Sequence, residues 1–206
     1  MPDARGHGKS DVPDHGYRYE DHANDVAGLI NVLRLPPPLL LGHSMGGMTA
    51  AVLASRKPNL LRGLILADPT CLTPKVQREV HDSDVAGQYR KMLNMSFDEV
   101  VAEARARHPD RSPETLELFA RARLQTSMRA FDILTPPNPD YKQLVREIDV
   151  PTLLVLADKG VVSSVVAATL QRLNSKLQVE QIRKAGHALH ADQPEHFAAV
   201  VKSFLQ

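Results

Sequence analysis

The chain has 206 residues, of which 43% are hydrophobic and 24% are charged, and its formal net charge is +1. This length suits one globular domain, and the near-balance of charges argues against a disordered chain or a nucleic-acid-binding surface. One cysteine, Cys71, excludes an internal disulfide, and no apolar run approaches the roughly 20 residues that cross a bilayer, so we expect a cytoplasmic protein without a membrane partner.

The first elements predicted along the chain are a polar loop, a helix and a short strand. Residues 2–11, PDARGHGKSD, are rich in turn formers, and no helix or strand precedes them. Apolar residues at helical spacing predict a helix over residues 19–33. The run 39–41 lies between three prolines and Gly42, which indicates a short parallel strand buried on both faces.

A second helix begins after Gly46 and Gly47, and a second apolar strand follows at residues 61–66. Two strands joined by one helix form a crossover unit, in which the strands run parallel. Residues 71–142 are different, because they are charged, helical in period and without a strand-like run. We predict four helices in this segment, at residues 75–93, 97–108, 113–124 and 125–134.

The alternation of strands and helices returns in the last third of the chain. Strands are predicted at 152–156 and 178–182, with helices near 162–173 and 194–205. The predicted fold is therefore α/β, a mostly parallel sheet flanked by helices. Its core comprises residues 1–70 and 143–206, and residues 71–142 form an inserted helical segment.

Ser44 is the predicted nucleophile. The sequence Gly42-His43-Ser44-Met45-Gly46 is a G-x-S-x-G motif that follows a predicted strand and opens a helix. This turn would project the Ser44 hydroxyl above the sheet, where the Met45 amide could donate to an oxyanion. His43 could line the substrate pocket, although packing beside the turn is the simpler role.

A serine nucleophile needs a base that is oriented by a carboxylate. His187 follows the predicted strand 178–182, and Asp158 follows the strand 152–156. The order Ser44, Asp158, His187 matches the serine, acid, histidine order of this motif, so we predict Asp158 as the acid and His187 as the base. Asp68 also ends a strand and competes for the acid role, but a turn aspartate before Pro69 is the simpler interpretation.

Five segments together resemble the α/β-hydrolase fold superfamily, in its esterase-like branch with a helical cap. They are PDARGHGKSD, LGHSMGG, LILADP, PTLLVLADKG and AGHALHADQPEHF. The resemblance implies a serine hydrolase that uses Ser44, Asp158 and His187, and it implies that residues 71–142 cover the pocket. It also implies three further strands, a helix and a second oxyanion donor before PDARGHGKSD, which these 206 residues do not contain.

The expected reaction is hydrolysis of a carboxylic ester of small to medium acyl length through an acyl-enzyme, with no cofactor. No metal site is expected, because the histidines near the C-terminus lack an acidic partner at ligand spacing. Carbon-carbon bond hydrolysis or perhydrolysis on the same triad is the enzymatic alternative. A catalytically impaired, truncated scaffold is the other alternative.

The short N-terminus leaves three explanations open. The sequence could be a fragment, a true short form that dimerises across an exposed sheet edge, or a form that has lost catalysis. An unpaired apolar edge favours association, so a homo-oligomer is possible.

Overall fold

The computed structural model describes residues 1–206 and contains a parallel sheet of four strands. The strands follow one another across the sheet in chain order, and each neighbouring pair is parallel. They are β1 (Leu39–His43), β2 (Gly63–Ala67), β3 (Thr152–Lys159) and β4 (Leu177–Gly186). The parallel sheet with flanking helices confirms the predicted α/β fold.

Ten α-helices accompany the sheet. They are α1 (Tyr19–Val32), α2 (Met45–Arg56), α3 (Pro74–Asp82), α4 (Val85–Met92), α5 (Phe97–Arg107), α6 (Pro113–Leu124), α7 (Tyr141–Glu147), α8 (Ser164–Leu173), α9 (Leu189–Asp192) and α10 (Pro194–Phe204). Short 3₁₀ helices span Pro58–Leu60 and Met128–Leu134. None of the helices has the length and apolarity required to cross a membrane.

Three differences from the predicted helices have local causes. The helix predicted at 75–93 is divided into α3 and α4, because Asp84 adopts a left-handed φ of 53° and its carboxylate accepts from the Gly87 amide as an N-cap. Residues 128–134 form a 3₁₀ helix instead of an α-helix. Helices α7 and α9, with seven and four residues, are too short to give a clear periodic pattern.

The core lies around the two central strands. All five residues of β2 are buried, as are the first six of β3. Ile65, Val155 and Ile182 belong to one buried cluster, against which Phe197 and Val201 of α10 pack. Close packing of this kind holds the carboxyl ends of the strands in fixed positions, and these ends carry the candidate site.

The chain divides into two compact units. The sheet unit comprises Tyr19–Thr73 and Pro139–Gln206, and the helical unit comprises Met1–Arg18 and Pro74–Asn138. The sequence-based division instead assigned the first residues to the sheet core. In the structure the Gly8 amide donates to the Gln125 carbonyl at 2.9 Å, and the Ser127 amide donates to the Gly6 carbonyl at 2.7 Å. The role of the helical unit as a cap stays a prediction.

Candidate active site

Ser44 lies in a strained turn between β1 and α2. Its φ is 54°, a left-handed value that non-glycine residues rarely adopt, and its amide donates to the Ala67 carbonyl at 3.0 Å. A side chain at Gly42 would collide with the Gly46 backbone, and one at Gly47 would lie 2.9 Å from Pro69 Cβ. Nothing lies within 4 Å of the corresponding position at Gly46. Close packing around the turn therefore requires glycine at positions 42 and 47.

A continuous hydrogen-bonded chain joins Ser44, His187 and Asp68. His187 Nδ1 lies 2.6 Å from Asp68 Oδ2, and His187 Nε2 lies 2.8 Å from Ser44 Oγ. Because an ionised carboxylate only accepts hydrogen bonds, Nδ1 carries the proton of the neutral imidazole, and Nε2 accepts from the Ser44 hydroxyl. The predicted contact between the serine and the histidine is thus present in the structure.

Asp68 follows β2 directly and has no solvent exposure. Its φ of 41° turns the chain at the end of the strand, and its carboxylate accepts from the amides of Val161 and Val162, each at 2.9 Å. Burial by itself would raise the pKa of this carboxyl. The hydrogen bonds from His187 and the two amides outweigh burial, so the pKa of Asp68 is lowered. Asp68 therefore stays ionised at neutral pH.

The structure corrects the prediction that Asp158 orients His187. Asp158 is exposed, and its carboxylate accepts from Gln181 Nε2 at 2.9 Å and from the Lys184 amide at 2.6 Å. Strand β3 continues through Lys159, so Asp158 still belongs to the strand. Asp68, which was the competing interpretation, makes the contact with His187 instead. Both aspartates lie near strand ends, and the sequence does not reveal which carboxylate turns toward the histidine.

The contacts of His43 agree with the simpler of its two predicted roles, packing beside the turn. Its Nε2 lies 2.7 Å from the backbone carbonyl of His187, and because a carbonyl only accepts, His43 donates this hydrogen bond. Its ring packs 4.7 Å from that of His187 and 4.8 Å from that of His190. Burial lowers the pKa of His43, which keeps the ring neutral. His43 thus supports the loop that carries His187.

Met45 is the first residue of α2, immediately after Ser44. The first amides of a helix have no acceptor within the helix, and the helix dipole favours negative charge there. This placement is compatible with the predicted oxyanion donor.

Sequence reasoning missed a residue that holds the histidine loop. Asp192 Oδ2 accepts from the Gly186 amide at 2.8 Å, one residue before His187. Asp192 lies in the C-terminal motif AGHALHADQPEHF, but nothing in its spacing distinguishes it from the other polar residues there. Lys184, two residues before Gly186, adopts a left-handed φ of 57°, and no residue pattern around it predicts this conformation.

Cys71, three residues after Asp68, also carries a potentially nucleophilic side chain. Burial, together with the negative charge of Asp68, raises the pKa of its thiol to about 12. The thiolate is the nucleophilic form of cysteine, so Cys71 is unreactive at neutral pH. No group of three or more His, Cys, Asp and Glu side chains is arranged to hold a metal ion.

The helical unit contains a cavity of about 450 Å³. Its lining combines apolar side chains with three cationic ones and a single carboxylate. The lining residues are Val85, Gln88, Tyr89, Lys91, Met92, Met95, Glu103, Arg107 and Arg123. Arg107 pairs with Glu103, so two positive charges remain in excess.

Comparison with known proteins gives consistent matches. The family model for the alpha/beta hydrolase fold matches residues 1–194. The chain is 26% identical to a 2-(acetamidomethylene)succinate hydrolase of Mesorhizobium japonicum, over 98% of this chain and 76% of that protein. It is 32% identical to the mouse (Mus musculus) sn-1-specific diacylglycerol lipase ABHD11, over 98% of this chain and 70% of the lipase.

Solved structures agree with these matches. A thermophilic esterase from Thermogutta terrifontis, with malate bound, is 27% identical to the chain and superimposes with a TM-score of 0.79. That match covers 99% of this chain and 78% of the esterase.

Proposed function

Because this chain belongs to the alpha/beta hydrolase fold family, we propose that it is a serine hydrolase that uses Ser44, His187 and Asp68. The observation that carries the proposal is the hydrogen-bonded chain from the Ser44 hydroxyl through the His187 ring to the Asp68 carboxylate. Hydrolase chemistry is common to the relatives described above. The assignment of these three residues to catalytic roles is our proposal.

In the first half of the reaction, Ser44 Oγ attacks the carbonyl carbon of the substrate and His187 Nε2 accepts its proton. Asp68 stabilises the imidazolium that forms and holds Nδ1 in its protonated state. The Met45 amide donates to the oxyanion of the tetrahedral intermediate. The intermediate then collapses, His187 transfers its proton to the leaving group, and an acyl-enzyme remains on Ser44.

In the second half, a water molecule attacks the acyl carbonyl while His187 Nε2 removes one of its protons. Collapse of the second intermediate releases the carboxylic acid and returns the proton to Ser44. The enzyme begins and ends with a neutral His187 and an ionised Asp68, so no cofactor is consumed.

A fluorophosphonate probe tests this proposal, because it phosphonylates only an activated serine. We expect the intact chain to be labelled on Ser44, and the Ser44→Ala and His187→Gln variants to remain unlabelled. Cys71→Ala serves as the control and should be labelled like the wild type, because its thiol is protonated. Failure of the wild type to react would overturn the proposal and favour the impaired scaffold.

We further propose carboxylic esters as the substrate class. The support is the likeness to the Thermogutta esterase and to the mouse lipase. A series of chromogenic esters of rising acyl length tests this class, and we expect the highest kcat/KM for small to medium chains. Labelling of Ser44 without turnover of any ester would favour carbon-carbon bond hydrolysis or perhydrolysis instead.

A second candidate is cleavage of an amide or lactone that carries a carboxylate. It is supported by the name of the Mesorhizobium relative, a hydrolase of a substituted succinate, and by the malate bound to the esterase. Neutral esters and carboxylate-bearing amides compared on the same preparation distinguish the candidates.

Two further expectations concern association and location. Strand β1 lies at the edge of the sheet, and its Leu41 is 42% exposed, so we propose that two copies pair along this edge. Light scattering should then give a dimer for the wild type and a monomer for Leu41→Lys. A monomeric wild type would contradict the proposed pairing.

A cytoplasmic location stays a proposal that rests on the single cysteine, and cell fractionation tests it.

A further inference from the structure

Gly160 faces the Asp68 carboxylate at the end of β3. A Cβ atom built on Gly160 would lie 2.5 Å from Asp68 Oδ1, 2.6 Å from Oδ2 and 2.7 Å from Cγ. Real Cβ atoms do not approach other atoms this closely. The Asp68 side chain cannot move away easily, because it is completely buried and held by His187 and by the Val161 and Val162 amides. Any side chain at position 160 therefore displaces the carboxylate.

The backbone gives no other reason for glycine at position 160. Gly6, Gly8 and Gly16 are the glycines of the chain with positive φ, so Gly160 adopts a conformation that other residues tolerate. The next two residues of the chain, Val161 and Val162, donate backbone hydrogen bonds that hold Asp68. The loop from Gly160 to Val162 thus forms one wall of the space that the carboxylate fills.

We infer that Gly160 is a positioning residue for the proposed acid: the absence of a side chain there lets Asp68 reach both His187 and the amides of the following loop. This inference rests on the proposed function. The same geometry has a second consequence. The Cβ of an aspartate at position 160 would lie within the space that the Asp68 carboxylate now occupies. Positions 68 and 160 are therefore alternative attachment points for the same negative charge.

The first test is Gly160→Ala, measured by ester turnover and by the rate of fluorophosphonate labelling. Displacement of the acid should lower kcat about 10²-fold and leave KM nearly unchanged, because misplacement of a catalytic group by about 1 Å has an effect of this size. A loss of folding is excluded by the urea unfolding curve of the same variant. Wild-type kcat in a folded Gly160→Ala protein would overturn the inference.

Gly87→Ala provides a matched control. A Cβ at Gly87 would lie 2.5 Å from Cγ of Asp84, so the same kind of collision with an aspartate occurs, but in the helical unit at the N-cap of α4. This variant should lose stability in α4 and keep the kcat of the wild type. An equal loss of kcat in both alanine variants would mean that the collision acts through general destabilisation, which would overturn the inference.

The second test moves the carboxylate. Asp68→Gly removes the acid and suits the left-handed φ of 41° at that position, and Gly160→Asp supplies a carboxylate from the opposite wall. The double variant should recover at least about tenfold of the roughly 10⁴-fold activity that Asp68→Gly alone loses. Asp68→Gly combined with Gly160→Asn is the control without charge and should recover none of it.

The outcomes separate this inference from the proposed function. If the wild type is not labelled on Ser44, the proposed function fails. If the wild type is labelled and Gly160→Ala is labelled at the same rate, the proposed function stands and the inference about Gly160 fails. Absence of recovery in a folded double variant likewise contradicts the inference.

Discussion

The carboxyl ends of β2 and β3 lie side by side in the sheet, and each carries an aspartate with a different environment. Asp68, after β2, is fully buried and bound to His187 and to two backbone amides. Asp158, near the end of β3, is exposed and bound to Gln181 and to the Lys184 amide. The two aspartates therefore have different roles although their strands are neighbours. Asp68 belongs to the hydrogen-bonded chain with His187, and Asp158 supports the loop that begins at Lys184.

The difference follows from the backbone at the two strand ends. β2 ends at Ala67, and the left-handed φ of Asp68 directs the chain into a turn. β3 continues through Lys159, and its pairing with β4 shifts register between Ala157 and Lys159. Asp158 therefore lies within an irregular part of the strand. The acid role depends on the direction of a side chain, which strand order alone does not determine.

The largest expected effect comes from exchanging each aspartate for its neutral analogue. Asp68→Asn should lower kcat about 10⁴-fold, because the uncharged amide neither stabilises the imidazolium nor fixes its tautomer. Asp158→Asn should stay within about threefold of the wild type, as is usual for an exposed position. Steady-state turnover of one ester by both variants provides the measurement. The reverse pattern would restore the original assignment of Asp158.

The second prediction concerns the stability of the protein in acid. The pKa of Asp68 is lower in the folded chain than its ordinary value of 3.8, so the unfolded chain binds more protons as the pH falls toward and below that value. The stabilisation from ionised Asp68 is complete above the ordinary pKa and is lost as the pH falls through the folded-state pKa. Urea unfolding measured at several pH values across this range should show that the free energy of unfolding falls more steeply for the wild type than for Asp68→Asn. An equal pH dependence in the two proteins would contradict a lowered pKa of Asp68.

The third prediction concerns the support that Asp158 gives to the loop. Asp158→Ala removes the acceptor of the Lys184 amide, whose left-handed conformation precedes His187. We expect a loss of about 1 kcal/mol in the free energy of unfolding, as for an ordinary hydrogen bond. Denaturant unfolding measures it, with Asp158→Asn as the control, since its side-chain oxygen can still accept. A large loss of kcat without a change in stability would point to a catalytic Asp158.

The smallest effect is expected at His43, which faces His187, His190 and Asp68. Burial lowers the pKa of His43 below the ordinary value of 6.5. As the pH falls through 6.5, the histidine is therefore protonated in the unfolded chain before it is protonated in the folded one. The wild type should therefore lose more stability than His43→Asn as the pH falls below that value. Asparagine keeps a donor for the His187 carbonyl, so the variant should fold. An identical pH dependence would contradict a buried, neutral His43.

Much of the fold and part of the site could be predicted from the sequence. Buried strands could be predicted from the apolar runs around Leu64 and Leu153, and a helix from the apolar spacing after Tyr19. The G-x-S-x-G motif predicts the turn that carries Ser44. The identity of the acid could not be predicted, because Asp68 and Asp158 both follow apolar runs. The left-handed φ of Asp68 and of Lys184 and the close approach of the Asp68 carboxylate to Gly160 arise from tertiary packing, which a single sequence does not display.

The most direct test of the contact between Asp68 and His187 is the proton spectrum of the resting protein. A proton shared between His187 Nδ1 and a carboxylate at 2.6 Å is strongly deshielded and protected from exchange, so it should give a far-downfield resonance in proton NMR. We predict that this resonance is present in the wild type and in Asp158→Asn, and absent from Asp68→Asn. A resonance that survives in Asp68→Asn and disappears in Asp158→Asn would contradict the account.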